Sequence, residues 1–404
     1  MFKNPPVKLS WLVLIALAAL LAACAPAASP SPTAAPKPTE APKPAAPAAP
    51  VAPTASPAPA AAPTASPAAA PAAAPAASPA LATKAAGASF YEGKTLRFIV
   101  GLAAGGGYDT YTRAMARYFG KYLPGNPTIV VENMVGAGGL QAANYVYKVA
   151  PQDGTVIHSF VGGLSMSELI GQSGIEFESS KFQWLGAPTL DTPVCVVRKE
   201  TGLRSLLEAR GRPNPIILGG VAPGGATDDQ PKVLRAALNL NLKIVSGYGG
   251  TSQIRLGIDR GELDGACYSW ESWKATSSDR FAAGDLVVIG QAGDKPLPDL
   301  PNVPFLLDAA QGDEAPQLFQ QGIIARSKIE RAYLVGPGVP RERVDLIREA
   351  FMKTLQDPDF LADAKKANLD VNPVSAEEVT QRIQGMFALP ESLKARLRAI
   401  LSAE

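Results

Sequence analysis

The chain has 404 residues, 38 Lys+Arg against 36 Asp+Glu, one histidine and three cysteines, a length for two or three domains at roughly 100–200 residues each. Lys3, Lys8, Lys37, Lys43 and Lys84 face only Glu40 before residue 88, so the remainder is net −2 and lacks the basic excess of a nucleic-acid binder. A lone imidazole, His158, and three cysteines exclude a multi-histidine metal centre and a paired-CxxC zinc frame, so no cofactor is expected.

In chain order, Lys3 and Lys8 precede the apolar run Leu9–Ala23. Fifteen residues rising about 1.5 Å each span roughly 22 Å, short of the roughly 30 Å hydrocarbon core. Residues 1–23 therefore read as an export signal, not a permanent membrane helix. The run ends Leu21-Ala22-Ala23-Cys24, which looks like a bacterial lipobox. Lipid on Cys24 would anchor the protein to a membrane on the extracytoplasmic side; an ordinary cleavage site with a chance cysteine is the alternative. Residues 24–87 are almost entirely Ala, Pro, Ser and Thr, with 17 of the 38 prolines between Ala25 and Lys84. Such a stretch builds no core and favours extended polyproline II, a disordered tether that supplies reach.

After Tyr91 the pattern alternates. Strands are predicted at 96–100, 128–132 and 155–160, with helices after Gly105-Gly106-Gly107 and near 140–149. A second set has strands at 194–197, 216–219, 242–246, 263–268 and 286–289, with helices around 229–240 and 251–261. The last third turns helical: Pro340 precedes the stripe Val344, Ile347, Phe351 and Leu355, and Ser375-Ala376-Glu377-Glu378 forms a capping box. The expectation is an α/β protein of two doubly wound lobes with a ligand cleft between them and a helical tail. Residues 88–190 plus 331–404 are assigned to the first lobe and 191–330 to the second.

Three glycine loops carry the chemistry. Gly105-Gly106-Gly107-Tyr108-Asp109 lies between a strand and a helix, where backbone N–H groups and the helix dipole suit an anion. It is neither a P-loop nor a dinucleotide fingerprint, and a tight packing turn is the plain alternative. Gly136-Ala137-Gly138-Gly139 stands in the same position after the next strand, and Gly224-Gly225-Ala226-Thr227 does so in the second lobe. At the carboxyl ends of parallel strands such loops converge on a ligand.

Across Leu96–Asp109, Val131–Gly139 and Gly247–Gly265, the chain resembles the substrate-binding proteins of tripartite tricarboxylate transporters, the Bug receptors. The resemblance implies a type II periplasmic-binding-protein fold that closes on a small organic carboxylate and hands it to membrane transporter subunits, acting as a monomer. It also implies a site: Gly105, Gly106, Gly107, Asp109, Gly136, Ala137 and Gly138 from the first lobe, with Gly224, Gly225, Thr227, Tyr248 and Asp264 from the second. Tyr108 departs from the family's small residue there and would stack on a ring or narrow the pocket. Asp228 and Asp229 stand where the family continues toward a His, and either cap a helix or meet a cationic ligand group.

Ser165 follows a Gly-Gly pair and is a candidate donor or a plain loop residue. Trp270 and Trp273 either wall the cleft or pack. His158 reads as structural. Cys195 and Cys267 fall on second-lobe strands, where a disulfide is allowed but not fixed by spacing. A non-catalytic receptor is the expected role. A sensory module for a membrane partner is one alternative, and an enzyme using Asp109 or Asp264 with Glu271 is the other.

Overall fold

The computed structural model describes residues 90–403. The export signal, Cys24 and the tether lie outside the described residues.

The first sheet has the order β11-β4-β10-β3-β1-β2, from β1 (Thr95–Val100), β2 (Thr128–Asn133), β3 (Val156–Ser159), β4 (Gln183–Ala187), β10 (Tyr333–Val335) and β11 (Val374–Ser375). The second has the order β7-β6-β8-β5-β9, from β5 (Pro193–Arg198), β6 (Ile216–Gly219), β7 (Leu242–Val245), β8 (Gly265–Ser269) and β9 (Leu286–Gln291). In each sheet only three strands are parallel, β2-β1-β3 and β7-β6-β8. The strands next to the interlobe passages, β4, β5, β9 and β10, pair antiparallel. The sheets are thus mixed where the glycine pattern alone predicted parallel ones. The antiparallel strands carry buried runs without a glycine turn, which is why β4 has no signature of its own.

Helices leave the carboxyl ends of the parallel strands: α1 (Gly107–Phe119) after β1, α4 (Ala226–Leu238) after β6, α5 (Thr251–Asp259) after β7 and α6 (Trp270–Ala282) after β8. α2 (Leu140–Lys148) follows β2, and α3 (Gly163–Leu169) follows β3 where a loop was expected. Residues 314–327 form a helix, α7, interrupted by a π-turn at Gln320–Ile324. The tail is α8 (Arg341–Leu355), α9 (Pro358–Lys366), α10 (Ala376–Phe387) and α11 (Glu391–Leu401). Val344, Ile347, Phe351 and Leu355 are buried as the stripe predicts, and Ser375 Oγ caps α10 by accepting from Glu378 N–H at 3.2 Å. The last helix does not stay with the first sheet: α11 packs on α4, and Lys232 Nζ donates to Leu401 O at 2.9 Å. Among the described residues no helix is long and apolar enough to cross a membrane.

Cys195 and Cys267 form a disulfide. They are directly opposite in the antiparallel β5–β8 register, a pairing that appears only once the strands are paired.

His158 lies in the middle of the first sheet, wholly buried. Ile99 O can only accept, so His158 Nδ1 carries the hydrogen of their 2.9 Å bond, and Nε2 is buried without a partner. Burial pushes the imidazole down to about 4 from 6.5, since a proton on Nε2 would be a charge with no acceptor. The unfolded chain takes up that proton below pH 6.5 and the folded one only near pH 4. Stability is therefore present above pH 6.5 and lost as pH falls toward 4. Between pH 7 and pH 5, wild type should lose about 2 kcal/mol more unfolding free energy than His158→Gln. Urea titrations at the two pH values measure it, and parallel losses would refute the assignment.

Candidate functional site

Between the sheets lies a cleft enclosing about 540 Å³ of empty space, part of it open to solvent. Leu102, Gly106, Gly107, Tyr108 and Val161 line it from the first lobe and Asp191 from the passage between lobes. Val221, Gly225, Ala226, Thr227, Thr251, Tyr268, Ser269 and Ser272 line it from the second. The lining is mostly apolar and holds no basic side chain.

What faces this cleft is backbone. Helices α1, α4 and α5 begin at Gly106, Gly225 and Gly250, and none of these has a side-chain cap. Their first-turn N–H groups therefore lack the side-chain acceptor that a Ser or Asp cap would supply. The α6 terminus is capped by Ser269 Oγ, which accepts from Ser272 N–H at 3.2 Å. Four helix N-termini at one cleft give it a positive bias without a cation in its lining.

The lobes touch at its mouth. Ala103 N–H donates to Gly249 O, Ser252 Oγ to Ala104 O, and Arg255 Nη2 to Gly105 O, each at 2.9 Å. Deeper down, two buried arginines join the lobes. Arg331 Nε and Nη2 hold Asp191 at 2.9 and 3.1 Å, and Nη2 also donates to Ser269 Oγ at 3.0 Å and Ser272 Oγ at 2.8 Å. Arg326 Nη1 meets Asp229 at 2.9 Å and Nη2 donates to Gly224 O at 2.8 Å. Glu330 accepts from Arg326 Nε at 3.2 Å, Tyr108 Oη at 2.5 Å and Gly162 N–H at 3.1 Å. Burial pushes the Asp229 carboxyl up to about 6 in spite of Arg326. Burial, and then the Asp191 charge, push Glu271 well above the usual carboxylate range.

The predicted residues divide. Gly106, Gly107, Tyr108, Gly225 and Thr227 meet at the cleft; the others do not line it. Gly105 has both backbone groups engaged, its N–H on Asp109 Oδ2 at 2.9 Å and its carbonyl on Arg255. Asp109 is nearly buried. Against the upward pull of burial, Arg113, Gly105 N–H and Asn133 hold its carboxyl below the usual range, so it ties the loop rather than a ligand. Gly136, Ala137 and Gly138 are not in the lining; Gly138 instead backs onto Ala222 and Pro223 of the second lobe.

Ser165 is fully buried on α3, accepting from Ser179 Oγ at 2.9 Å. Gly224 belongs to the Arg326 network. Tyr248 packs in the second-lobe apolar cluster, its hydroxyl beside Gly257. Asp264 stands at the start of β8, the end opposite the cleft, where it accepts from Ile217 N–H at 2.9 Å and Arg198 at 3.3 Å. A carboxylate before the strand cannot reach a site after it. Asp228 accepts from Thr227 Oγ1 at 3.1 Å and from Ser246 Oγ, the contacts of an acid pinning the start of α4. Trp273 is core and stacks on Tyr268 with centroids 4.2 Å apart, while Trp270 packs edge-on against Phe281.

The lining residues with polar side chains that were missed are Asp191, Thr251, Tyr268, Ser269 and Ser272. Ser269-x-x-Ser272 after a strand and Thr251 after Gly249-Gly250 are cap-like signals; Asp191 has none, because its partner Arg331 is 140 residues away.

No family profile and no curated protein matches this chain. Among solved structures, it is similar to the periplasmic binding protein BugD (TM-score 0.63, 21% identity, 78% of this chain and 99% of that one). It is also similar to MatC from Rhodopseudomonas palustris with bound malate (TM-score 0.60, 17% identity, 76% and 99%). A third is a TctC solute binding protein from Polaromonas (TM-score 0.50, 17% identity, 77% and 99%). The chain therefore has the periplasmic-binding-protein-like fold of the tripartite tricarboxylate-type substrate-binding proteins, two lobes around a cleft, as the resemblance implied.

Gly106 has φ −85, ordinary backbone, so its glycine answers to space, not strain. A Cβ there would lie 2.9 Å from Thr251 Oγ1 of the other lobe. Gly106→Val should hold the lobes apart: small-angle scattering should give a larger radius of gyration than wild type. The unfolding free energy should move by less than about 1 kcal/mol. An unchanged radius would show that the contact yields.

Proposed function

We propose that the protein is an extracytoplasmic solute receptor that captures a small organic carboxylate by lobe closure and delivers it to a tripartite-type membrane transporter. The observation that carries this reading is the convergence of glycine-capped helix N-termini from both lobes on one apolar cleft. Backbone N–H groups there meet an anion with charge-assisted hydrogen bonds worth roughly 1.5–3 kcal/mol each. MatC with bound malate and a second R. palustris protein with adipate, similar folds at 17% identity, support a carboxylate as the guest.

Binding without turnover fits the residues an enzyme would need. Asp109 and Asp264 are spent on structural bonds at opposite ends of their strands, and Glu271 is buried and accepts from Thr192 N–H at 2.8 Å. No two of them face a common substrate position. Calorimetry with adipate, malate, citrate and phenylacetate should find at least one ligand at micromolar affinity, recovered unchanged after incubation. Scattering at saturation should give a radius of gyration equal to or below that of the free protein, with less spread. Chemical conversion of the bound acid would overturn the receptor reading.

Anchoring belongs to the same reading: Cys24 as first mature residue, carrying lipid, with the Pro-rich stretch as spacer. Cys24→Ser should release the protein from the membrane fraction of expressing cells; undiminished membrane association of the processed variant would exclude the anchor.

A further inference from the structure

The space between the lobes is bounded at both ends. At the mouth, Ala103, Ala104 and Gly105 of the first lobe are hydrogen-bonded to Gly249, Ser252 and Arg255 of the second. Toward the base stands Tyr108, whose hydroxyl ends in the buried arginine network. It is the largest side chain that the first lobe gives to the lining, beside Leu102, Gly106, Gly107 and Val161. It is also only half-buried, so the ring keeps surface for a ligand to meet.

Tyr108 is held at its tip, its face and its backbone. The phenol donates to Glu330 at 2.5 Å, and that carboxylate also accepts from Gly162 N–H at 3.1 Å and Arg326 Nε at 3.2 Å. A bond to a charged acceptor is the strong kind. The Arg331 guanidinium lies against the ring, 5.0 Å from its centroid, and against the wholly buried Tyr111 at 4.5 Å, an attraction between cation and π-face. Beneath the ring, Thr112 Oγ1 donates to Tyr108 O at 2.7 Å. The next residue, Asp109, is tied to Gly105 N–H, Arg113 and Asn133. The ring therefore cannot turn aside for a ligand without breaking bonds in the buried network.

No other side chain in the lining has this standing. Tyr268, the second ring, is 3% exposed and stacked on Trp273, so it offers a ligand little surface. The remaining wall of the second lobe is built of small side chains such as Val221, Ala226, Thr227 and Thr251.

We propose that Tyr108 sets the upper size of the ligand, and that the receptor takes short-chain carboxylates whose body ends at the tyrosine ring. This rests on the receptor reading and narrows its substrate class. Between Leu102, Val161, Val221 and Ala226, each methylene a ligand buries strengthens binding about fourfold. That gain stops at the ring. A longer body must push Tyr108 off Glu330 or hold the mouth contacts apart, and either loses hydrogen bonds that the closed form makes.

The test is calorimetry on the mature chain with two homologous series, monocarboxylates from acetate to octanoate and dicarboxylates from malonate to suberate. Citrate and phenylacetate are added as bulky acids, and the proteins are wild type, Tyr108→Ala and Tyr108→Leu. Wild-type affinity should pass through a maximum within a series and fall about tenfold for chains roughly two methylenes longer. Tyr108→Ala should move that maximum by about two methylenes or more and strengthen the longest member about tenfold. Tyr108→Leu, which keeps the wall packed if alanine does not fold, should move it by about one. A purely structural role would weaken every member by a similar factor and leave the maximum in place. That result, or wild-type affinity that climbs to the end of the series, would overturn the size limit and leave the receptor reading standing. Binding of citrate or phenylacetate with neither series bound would overturn the ligand class alone. If none of the acids binds wild type at millimolar concentration, the size limit and the receptor reading fall together.

Discussion

The two buried arginines at the junction of the lobes are the constraint on which the rest depends. Arg326 and Arg331 have no exposed side-chain surface, and a guanidinium cannot shed its proton to escape the desolvation cost. Each must find acceptors for its charge, and those acceptors come from different parts of the chain. Arg331 takes Asp191 from the outgoing passage and two serines from the head of α6. Arg326 takes Asp229 and a carbonyl from the α4 loop, and Glu330 passes the connection to Tyr108 and Gly162 of the first lobe. Such pairs add little net stability over an apolar core of equal volume. Their contribution is position: they fix where the starts of α1, α4 and α6 stand relative to one another.

That positioning explains the site's uneven electrostatics. Four helix N-termini aimed at one space would attract anions at every corner. The acids that complete the arginine shells and pin the loops, Asp191, Asp228, Asp229 and Glu330, cancel much of this field where they sit. The cleft that results is apolar and charge-balanced over most of its wall. The glycine loop at 136–138, read from sequence as half of an anion cradle, lies outside it. Its left-handed residues, Ala137 at φ 46 and Gly138 at φ 64, serve instead to bring the loop against Ala222.

Much of this was legible in the residues. Strand, glycine turn and amphipathic helix recur with spacings that place β1-α1, β6-α4 and β7-α5 within a few residues of their observed bounds, because each unit is a local pattern of periodicity and capping. The site was legible as far as the glycines at strand ends. It failed where a residue's role depends on which end of a strand it occupies or on a partner far along the chain. Asp264 sits in a motif beside a glycine but precedes its strand, so it faces away. Asp109 lies in the right loop yet is consumed by Asn133, Arg113 and Gly105 N–H. Asp191 and Arg331 carry no local signature, and antiparallel strands such as β4 announce themselves only by burial.

The contacts that hold the mouth shut are of another kind from those at its base. Ala103 with Gly249, Ser252 with Ala104 and Arg255 with Gly105 are three hydrogen bonds at the cleft rim, each worth about 0.5–1.5 kcal/mol net of its exchange with water. At the base, Arg331–Asp191 and Arg326–Asp229 are buried. Breaking either would strand a buried charge at about 3–5 kcal/mol. The weaker contacts between the lobes thus lie at the rim and the stronger at the base, with α11 a further link: it packs on α4 and its Arg398 donates to Ile170 O of the first lobe at 2.5 Å. A rim worth a few kcal/mol is within reach of one well-placed ligand group, and a ligand shifts the balance only by the contacts it makes in the closed form and not in the open one.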